Sequence, residues 1–338
     1  MKICIIGGGG AIGGYLAVML AKAGNDVTVV ARGETLKAIQ NKGLQLILEG
    51  ESKPLVAHVK AVDRISAVQE TPEVVMLAVK AHQVEPIVDD LANLMGPETV
   101  LIPMQNGIPW WYFQRLNSQH QDHAVETVDP AGSIMKQINP ANILGCVVYP
   151  ATIARSPGVI EHVEGNRFPI GELDGSISER AQRISQMMTE AGFKSPILED
   201  IRAEIWLKLW GNMTFNPISA LTHEHLEGIC RFPLTKDLAR NMMTEAQTIA
   251  QKLGVTFRVD IERRIAGAEK VGKHKTSMLQ DLEAGNNLEI DALLGSVIEL
   301  GQITDTPTPC LSTVFALTKL LNTRVQSSQG RLALPMAA

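Results

Sequence analysis

The chain has 338 residues, of which 45% are apolar and 20% are charged, a composition typical of globular proteins. Because a single domain seldom exceeds about 200 residues, two domains are expected. The 31 basic and 36 acidic residues give a formal net charge of -5, and the Lys and Arg residues form no block. These values argue against a nucleic acid or an anionic membrane as partner, so any anionic ligand must be held by local charge.

The cysteines and the uncharged N-terminal segment bear on the cellular compartment. The four cysteines stand far apart, at positions 4, 146, 230 and 310. They form no Cys-x-x-Cys pair, so neither a disulfide framework nor a zinc site is expected. Residues 3–21 carry no charge, as in a signal peptide or a membrane span, but the glycines within 7–14 favour a strand, a turn and a helix. We therefore expect a protein of the reducing cytoplasm.

The first half of the chain alternates short apolar runs with helical patterns. Buried strands are predicted at residues 3–6, 27–31, 74–79 and 100–104, and helices at residues 12–23 and 84–95. This alternation predicts a parallel sheet with helices on both faces. Residues 44–59 and 143–170 contain more alternation and more turns, so extra strands, antiparallel ones included, are expected there at the edge of the sheet.

From about Ser178 onward the chain is predicted to be mostly helical. The helical stretches are residues 179–191, 200–215, 237–253, 279–299 and 313–322. The predicted fold class is therefore α/β, with an N-terminal Rossmann-type dinucleotide-binding domain, residues 1–198, followed by a mostly α-helical C-terminal domain for substrate and catalysis, residues 199–338. The residues from Gln326 onward have few apolar anchors and are expected to form a loose tail.

The strongest local signal is a glycine-rich loop between the first predicted strand and the first predicted helix. It contains the spacing Gly8-x-Gly10-x-x-Gly13. In a dinucleotide-binding loop, the first glycine forms a tight turn, the second lets a pyrophosphate approach the backbone, and the third lets the helix pack on the strand. The predicted cofactor contacts in this loop are Gly8, Gly9, Gly10, Ala11, Ile12 and Gly13. The additional glycines at 7 and 9 leave the register open by one residue.

The residue that follows the second predicted strand indicates which dinucleotide binds. An NAD-selective protein carries Asp or Glu there, about 20 residues beyond the loop, to bind the ribose 2′-hydroxyl. This chain has Arg32 instead, and a guanidinium can pair with a 2′-phosphate. NADP is therefore the predicted cofactor. Two alternatives remain: Arg32 is merely solvated, or the nearby Glu34 serves an NAD ribose.

Residues 200–216 predict a helix with a narrow polar row, since positions four apart lie on nearly the same face. The apolar positions that cover most of its surface are Ile201, Ile205, Trp206, Leu207, Leu209, Trp210 and Met213. The polar row consists of Glu204, Lys208, Asn212 and Asn216. A narrow row on a mostly apolar helix indicates that it lines a cleft, and a solvated stripe with a Glu204–Lys208 pair is the alternative. Pro217 is predicted to end the helix.

Such a row suits a reductase. When hydride reaches a ketone carbon, the oxygen needs a proton and a stabilising charge. Lys208 can supply both, and Asn212 and Asn216 can hold the substrate by hydrogen bonds.

Several strings along the chain together resemble the ketopantoate reductases, also called 2-dehydropantoate 2-reductases. They are the glycine loop, Val79-Lys80-Ala81, Gln105-Asn106-Gly107, Arg202-Ala203-Glu204-Ile205-Trp206-x-Lys208-Leu209 leading to Asn212-x-x-x-Asn216-Pro217, and Ser277-Met278-Leu279-Gln280-Asp281 followed by Glu289-Ile290-Asp291. The resemblance extends from Met1 to about Asn322. The spacing Lys-x-x-x-Asn alone also occurs in the β-hydroxyacid dehydrogenases, but the longer strings are far more specific.

The resemblance implies NADPH-dependent reduction of the C2 ketone of 2-dehydropantoate to (R)-pantoate, a step toward pantothenate and coenzyme A. It implies that Lys208 is the proton donor and that Glu289 assists catalysis and orders the cofactor. The implied cofactor contacts beyond the loop are Arg32, Lys80, Asn106 and Glu289. The implied substrate contacts are Asn106, Asn212, Asn216 and Ser277, the last at the carboxylate end.

Two other functions remain as hypotheses at this point. The protein could reduce another 2-oxo or hydroxy acid, or it could be a non-catalytic NADP-binding sensor. A sensor has no need for a proton donor such as Lys208, which argues against that hypothesis. The expected partner is a small 2-oxo acid, and a homodimer is a candidate assembly.

Two further groups of residues are interpreted as lying outside the chemistry. His223 and His225 are two residues apart and face different sides of a helix, so no metal site is predicted. The aromatic run Trp110-Trp111-Tyr112 is predicted to shield the cleft or an interface.

Overall fold

The computed structural model describes residues 1–330 and 332, which form two compact units. Unit 1 consists of residues 1–105, 110–124 and 131–201, and unit 2 consists of residues 106–109, 125–130 and the described residues from 202 onward. Two short segments of the first half of the chain therefore belong to unit 2. The domain bounds 1–198 and 199–338 stay a prediction, because compactness does not test whether each part folds alone.

The strands of the described residues lie in unit 1. In chain order they are β1 (Lys2–Ile6), β2 (Asp26–Val30), β3 (Leu44–Ile47), β4 (Leu55–Ala57), β5 (Lys60–Val62), β6 (Val74–Leu77), β7 (Val100–Pro103), β8 (Leu144–Cys146), β9 (Ala151–Ser156), β10 (Val159–Glu164) and β11 (Ile170–Glu172). The helices of unit 1 are α1 (Ala11–Lys22), α2 (Gly33–Lys42), α3 (Val88–Leu94), α4 (Ser133–Gln137) and α5 (Glu179–Glu190).

A parallel sheet in the order β5-β2-β1-β6-β7 forms the centre of unit 1. In its register, Cys4 of β1 lies beside Thr28 of β2 and Val75 of β6. The strands β6 and β7 are buried along their whole length, which is why they are continuous apolar runs instead of alternating ones. The strands predicted near residues 3–6, 27–31, 74–79 and 100–104 are confirmed, and so is the α/β fold class.

The strands predicted within residues 44–59 and 143–170 exist. Ile143, directly before β8, forms a parallel bridge with Leu101 of the edge strand β7, so the predicted position at the sheet edge is confirmed there. It is wrong for β4, β3, β10 and β9, which form a separate sheet in that order, while β11 pairs with β8. The physical reason lies in α1, which is apolar on nearly all sides and so needs cover on a second face. Gly14 of α1 leaves room for Ile160 of β10, whose Cγ1 would lie 2.6 Å from a Cβ added at that glycine.

Two helices of unit 1 differ from the prediction, one because of a proline and one because its apolar pattern is weak. The helix predicted at residues 84–95 begins only at Val88, because Pro86 lies in a short 3₁₀ turn, Glu85–Ile87, just before it. α2 has no counterpart among the predicted helices. Only Ile39 of that helix is buried, so its apolar periodicity is weak.

Unit 2 is helical, as predicted for the C-terminal part of the chain. Its helices are α6 (Ile201–Thr222, beginning one residue before the unit), α7 (Leu226–Arg231), α8 (Pro233–Lys252), α9 (Ile261–Lys270), α10 (Ser277–Ala284), α11 (Ser296–Ile303) and α12 (Pro309–Ser327). A π-helical turn, Asp291–Gly295, leads directly into α11. None of the described helices combines the length and the apolar character needed to cross a bilayer.

α6 continues through Pro217 to Thr222, so the prediction that Pro217 ends the helix is wrong. A proline inside a helix removes one backbone hydrogen bond and costs about 3 kcal/mol. Beyond it, Ile218 and Ala220 are 2% and 0% exposed. Burial of their apolar surface offsets the loss of the hydrogen bond.

The helix predicted at residues 279–299 is interrupted. α10 ends at Ala284, and the following Gly285 has a φ of 77°, the left-handed conformation that glycine adopts after a helix. The chain becomes helical again only at the π turn. At the other end of the chain, α12 includes Gln326 and Ser327, so the predicted tail does not start there. Residues 331 and 333–338 of that tail lie outside the described residues.

Candidate functional site

The glycine loop joins β1 to α1 in the way its spacing predicts. Gly7 has a φ of 83°, which glycine adopts without strain. A Cβ added at Gly13 would lie 2.3 Å from the Gly7 carbonyl oxygen, so α1 approaches β1 at a distance that only glycine permits. A Cβ added at Gly8 would lie 2.6 Å from the Cβ of Val29 on β2. The loop is therefore held tightly against the parallel sheet.

The first turn of α1 follows this loop. Gly10 precedes the helix in an extended conformation, with φ -79° and ψ 173°. The amides in the first turn of a helix, here those of Ala11, Ile12 and Gly13, have no acceptor within the helix, and the helix dipole adds partial positive charge. Such a helix start can accept the phosphates of a dinucleotide.

A cleft of about 680 Å³ lies beside the loop, entirely within unit 1. This volume suits a small-molecule ligand. Its lining includes Gly7, Gly9, Gly10, Arg32, Thr35, Val79, His82 and Gln83. A Cβ added at Gly9 would lie 2.5 Å from Thr35 Cγ2, so this glycine lets the first turn of α2 approach the loop. Sequence analysis did not predict three of these lining residues, Thr35, His82 and Gln83, because they belong to no motif. Their only signal in the sequence is that they follow strands β2 and β6.

The charged residues near this cleft differ in how they are held. Arg32 is exposed and occupies the N-cap position of α2, two residues after the end of β2, without a capping hydrogen bond from its side chain. Glu34, the alternative contact for an NAD ribose, forms an exposed ion pair with Lys37 at 2.8 Å. Lys80 is half-buried, and its amide donates to Gln83 Oε1 at 3.0 Å. Val79, directly before Lys80, and His82, two residues after it, line the cleft.

A second cluster of predicted site residues lies within unit 2, along α6. Lys208 Nζ donates a hydrogen bond to Asn106 Oδ1 at 2.5 Å, although the two residues are 102 positions apart. Asn216 Nδ2 lies 3.4 Å from Ser277 Oγ, across 61 positions. The structure thus brings together two pairs of residues that the sequence had predicted separately. Asn212 lies on α6 between the two pairs and is half-buried.

Glu204, the first residue of the polar row, has a different environment. Its carboxylate is 2% exposed and pairs with Arg258 Nη2 at 2.8 Å. Two turns further on, Trp210 stacks on Phe257 with ring centroids 3.9 Å apart. These contacts attach α6 to the segment before α9, so Glu204 has a structural role in holding the helix that carries Lys208.

Ser277 and Glu289 lie at the two ends of the region around α10. Ser277 is exposed in the first turn of α10, where Thr276 caps the helix by accepting from the Leu279 amide at 3.2 Å. Glu289 is half-buried, and its carbonyl accepts from the Leu293 amide at 3.2 Å in the π turn. Lys275 is bound to both carboxylate oxygens of Glu283, at 2.8 and 2.9 Å.

The side chains of the aromatic run Trp110-Trp111-Tyr112 are 3%, 1% and 1% exposed, and the run belongs to unit 1. Side chains buried within the chain leave no surface for a partner subunit, so the predicted subunit interface is wrong, whereas the predicted shielding of the cleft stays a prediction. Trp111 packs over Gly145 of β8, where an added Cβ would lie 2.9 Å from the indole ring. The sequence pattern alone does not distinguish such burial within the chain from burial at an interface.

The buried cysteines Cys4 and Cys230 are not reactive groups. All four cysteines are free thiols. Burial raises the pKa of Cys4 to about 12, and burial also raises that of Cys230 to about 11, so both thiols stay protonated and are poor nucleophiles. Within residues 1–330 and 332, no group of three or more His, Cys, Asp or Glu side chains is arranged to hold a metal ion.

The comparisons with known proteins show the family of the chain. Two family models match the chain: Ketopantoate reductase PanE/ApbA over residues 3–175 and Ketopantoate reductase PanE/ApbA C terminal over residues 200–322. The chain is 49% identical over 324 residues to a 2-dehydropantoate 2-reductase of Mesorhizobium japonicum, and the match covers 95% of this chain and 98% of that protein.

Solved structures give the same result. A protein of Ralstonia solanacearum MolK2, whose crystal structure carries the provisional name ketopantoate reductase, is 39% identical with a TM-score of 0.90. That match covers 96% of this chain and 98% of the other. The 2-dehydropantoate 2-reductase of Methylococcus capsulatus is 27% identical with a TM-score of 0.80, over 98% of this chain and 100% of the other.

The chain therefore belongs to the ketopantoate reductase family, a family of oxidoreductases. The resemblance that the sequence strings indicated is confirmed. The roles of the individual site residues are a separate matter and stay predictions.

Proposed function

We propose that this protein reduces 2-dehydropantoate to (R)-pantoate with NADPH, in the biosynthesis of pantothenate and coenzyme A. The observation that carries the proposal is the hydrogen bond between Lys208 and Asn106. In an enzyme of this family, this bond holds the Lys208 ammonium in place on α6. The 49% identity to a protein named 2-dehydropantoate 2-reductase supports the choice of substrate.

The residues of unit 1 fit a nicotinamide dinucleotide. The loop from Gly8 to Gly13 and the start of α1 would hold the pyrophosphate, since the glycines leave room for its oxygens and the helix amides face them. Arg32, beside the cleft, would pair with the 2′-phosphate and so select NADPH. Lys80 would add positive charge. Asn106 and Glu289 belong to unit 2, and their contacts with the cofactor stay predictions from the family resemblance. When bound, the cofactor supplies the hydride.

In unit 2, Lys208 is the proposed proton donor and Glu289 the proposed assisting group. An ammonium has three hydrogens, so Lys208 can donate to Asn106 and to the substrate ketone oxygen at once. As negative charge develops on that oxygen, the ammonium stabilises it and then transfers a proton to it. Asn212 and Asn216 would hold the substrate by hydrogen bonds. Ser277, at the start of α10, would hold the carboxylate, which the positive end of a helix favours.

The test is NADPH oxidation with a matched pair of 2-oxo acids. 3,3-Dimethyl-2-oxobutanoate lacks only the terminal hydroxyl of 2-dehydropantoate, so it measures whether the site recognises that group. We expect kcat/KM for 2-dehydropantoate to be at least about tenfold higher, because loss of one hydrogen bond leaves polar groups of the site unpaired. Faster reduction of another 2-oxo acid would contradict the proposed substrate, and tight NADPH binding without any turnover would indicate a sensor.

The assembly and the compartment stay predictions that belong to this proposal. A homodimer would show twice the chain mass of 36.7 kDa in analytical sedimentation, and a monomer would contradict it. The cytoplasmic location is supported by the four free thiols, which a reducing compartment preserves.

A further inference from the structure

The π-helical turn Asp291–Gly295 changes which carbonyl groups the helix uses. In a regular α-helix, the Ser296 amide would donate to the carbonyl of Ala292, four residues before it. Here it donates to the carbonyl of Asp291, five residues before it, which is the π-helical bond. The Ala292 carbonyl is thereby released from its usual partner.

The released carbonyl holds the turn that carries Asn106. It accepts a hydrogen bond from the Ile108 amide at 3.0 Å and another from the Ser296 hydroxyl at 2.7 Å. A carbonyl oxygen has two lone pairs, and both are used. Ile108 is 1% exposed, so separation of the two segments would leave a buried amide without an acceptor.

Gly107 permits this close approach. Its φ is 94°, and an added Cβ would lie 2.0 Å from the Ala292 carbonyl oxygen and 2.5 Å from the carbonyl carbon. Both are backbone atoms of a buried helical turn, so they have little room to move. A side chain at position 107 would therefore push the turn away from the helix.

The same helical region also holds the second early segment of unit 2. Glu299 on α11 accepts hydrogen bonds from the amides of Glu126 and Thr127 at 2.7 and 2.8 Å, and from the Thr127 hydroxyl at 2.5 Å. Gly295, the last residue of the π turn, leaves room for Thr127, whose Cγ2 would lie 2.9 Å from an added Cβ. Within unit 2, the segments 106–109 and 125–130 are thus both bound to the helical region between Ala292 and Glu299.

We propose that the π turn positions Lys208 for proton transfer, through the Ala292 carbonyl, Gly107 and Asn106. The Lys208 ammonium is bonded to the Asn106 side chain at 2.5 Å, so a displaced turn takes the amide oxygen away from the ammonium. Gly107 and Ala292 are positioning residues that act through Asn106. The inference rests on the proposed function, since it assigns them to the reductase reaction.

The experiment compares Gly107→Ala with the matched control Gly254→Ala. Gly254 has a φ of 86° with no atom within 4 Å of an added Cβ, so alanine there introduces the same backbone strain without the collision. We expect both variants to lose a few degrees of Tm. Gly107→Ala should lose about 10²-fold in kcat, the effect of misplacing a catalytic group by about 1 Å. Gly254→Ala should keep kcat within about twofold of the wild type.

A double-mutant cycle tests whether Gly107 acts through Asn106. If it does, Gly107→Ala should lower kcat little further in an Asn106→Ala background, because the amide that it displaces is already gone. If Gly107→Ala lowers kcat by the same factor with and without Asn106→Ala, the inference is overturned. It is also overturned if kcat of Gly107→Ala lies within about threefold of the wild type.

Two readouts do not depend on activity, and the second of them does not depend on a variant. A crystal structure of Gly107→Ala should show Asn106 Oδ1 beyond hydrogen-bond distance, about 3.5 Å, from Lys208 Nζ. In the wild type, the Ile108 amide should exchange with solvent deuterium as slowly as the amides of the adjoining α11. Fast exchange at Ile108 beside a protected helix contradicts the positioning role. A wild type without reductase activity contradicts the proposed function instead, and these two readouts still test the positioning.

Discussion

The glycine loop of unit 1 and the Lys208 cluster of unit 2 are built in different ways. The loop lies within residues 7–13, and its shape is set by its glycines against the adjoining strands. The cluster is assembled from distant segments, since Lys208 and Asn106 are 102 positions apart and Asn216 and Ser277 are 61 apart. A local site depends on a few neighbours, whereas an assembled site depends on the packing of every segment that contributes to it. Single substitutions can therefore separate the binding of cofactor from the chemical step.

The largest expected effect is that of Lys208→Ala on turnover. Loss of a general acid that also stabilises charge should lower kcat by about 10²- to 10⁴-fold. NADPH affinity, measured by fluorescence titration, should stay near the wild-type value, because the glycine loop and Arg32 belong to unit 1. Substrate affinity should also fall if the ammonium already holds the carbonyl in the ground state.

Lys252→Ala is the matched control for that variant. Its ammonium donates to the carbonyls of Thr304 and Asp305, at 2.9 Å each, and so has a purely structural environment. It should leave kcat unchanged within about twofold. A Lys208→Ala enzyme that keeps more than about a tenth of the wild-type kcat would mean that another group donates the proton, and Glu289 would be the next candidate.

A smaller effect is expected from Arg32→Ala, on cofactor affinity alone. Loss of a charge-assisted contact with the 2′-phosphate should weaken NADPH binding by about 2 kcal/mol. NADH lacks that phosphate, so its affinity should hardly change. Titration with both cofactors checks this, and an equal loss for both would remove Arg32 as the selective residue.

The smallest effect is expected from Glu34→Gln. Glu34 and Lys37 form an exposed ion pair, and such pairs contribute at most about 1 kcal/mol. The affinities for NADPH and NADH should each change by less than about 0.5 kcal/mol. A selective loss of NADH affinity in the same titration would instead support Glu34 as a ribose contact and weaken the choice of NADPH.

The parts of the fold that the sequence predicted are those in which a local pattern has a single structural solution. The apolar runs of β1, β6 and β7 can only be buried strands at that length, and the glycine spacing after β1 fits one kind of turn. Prediction from the sequence pattern failed where the same pattern is compatible with several structures. It did not exclude an interface for Trp111, and it could not show that a second sheet covers α1 through Gly14 and Ile160.

The candidate site also contains residues that a local pattern predicted and distinctions that it could not predict. The polar row on α6 identified Lys208 and Asn216 as candidates, because helical periodicity is a property of the chain itself. It could not separate Glu204, which is buried against Arg258, from the other members of that row. That distinction depends on a residue more than 50 positions away, and periodicity contains no information about it.

By itself, the sequence determined the α/β class, the dinucleotide loop and the family, because each depends on residues close together in the chain or on strings long enough to be specific. Only the tertiary structure decided that Asn106 contacts Lys208 and that the Asn106 turn is held by the Ala292 carbonyl. Both contacts join groups more than 100 residues apart, and the second also requires a π turn that frees an acceptor. No local pattern encodes such a pairing, because it forms only when the intervening chain has packed.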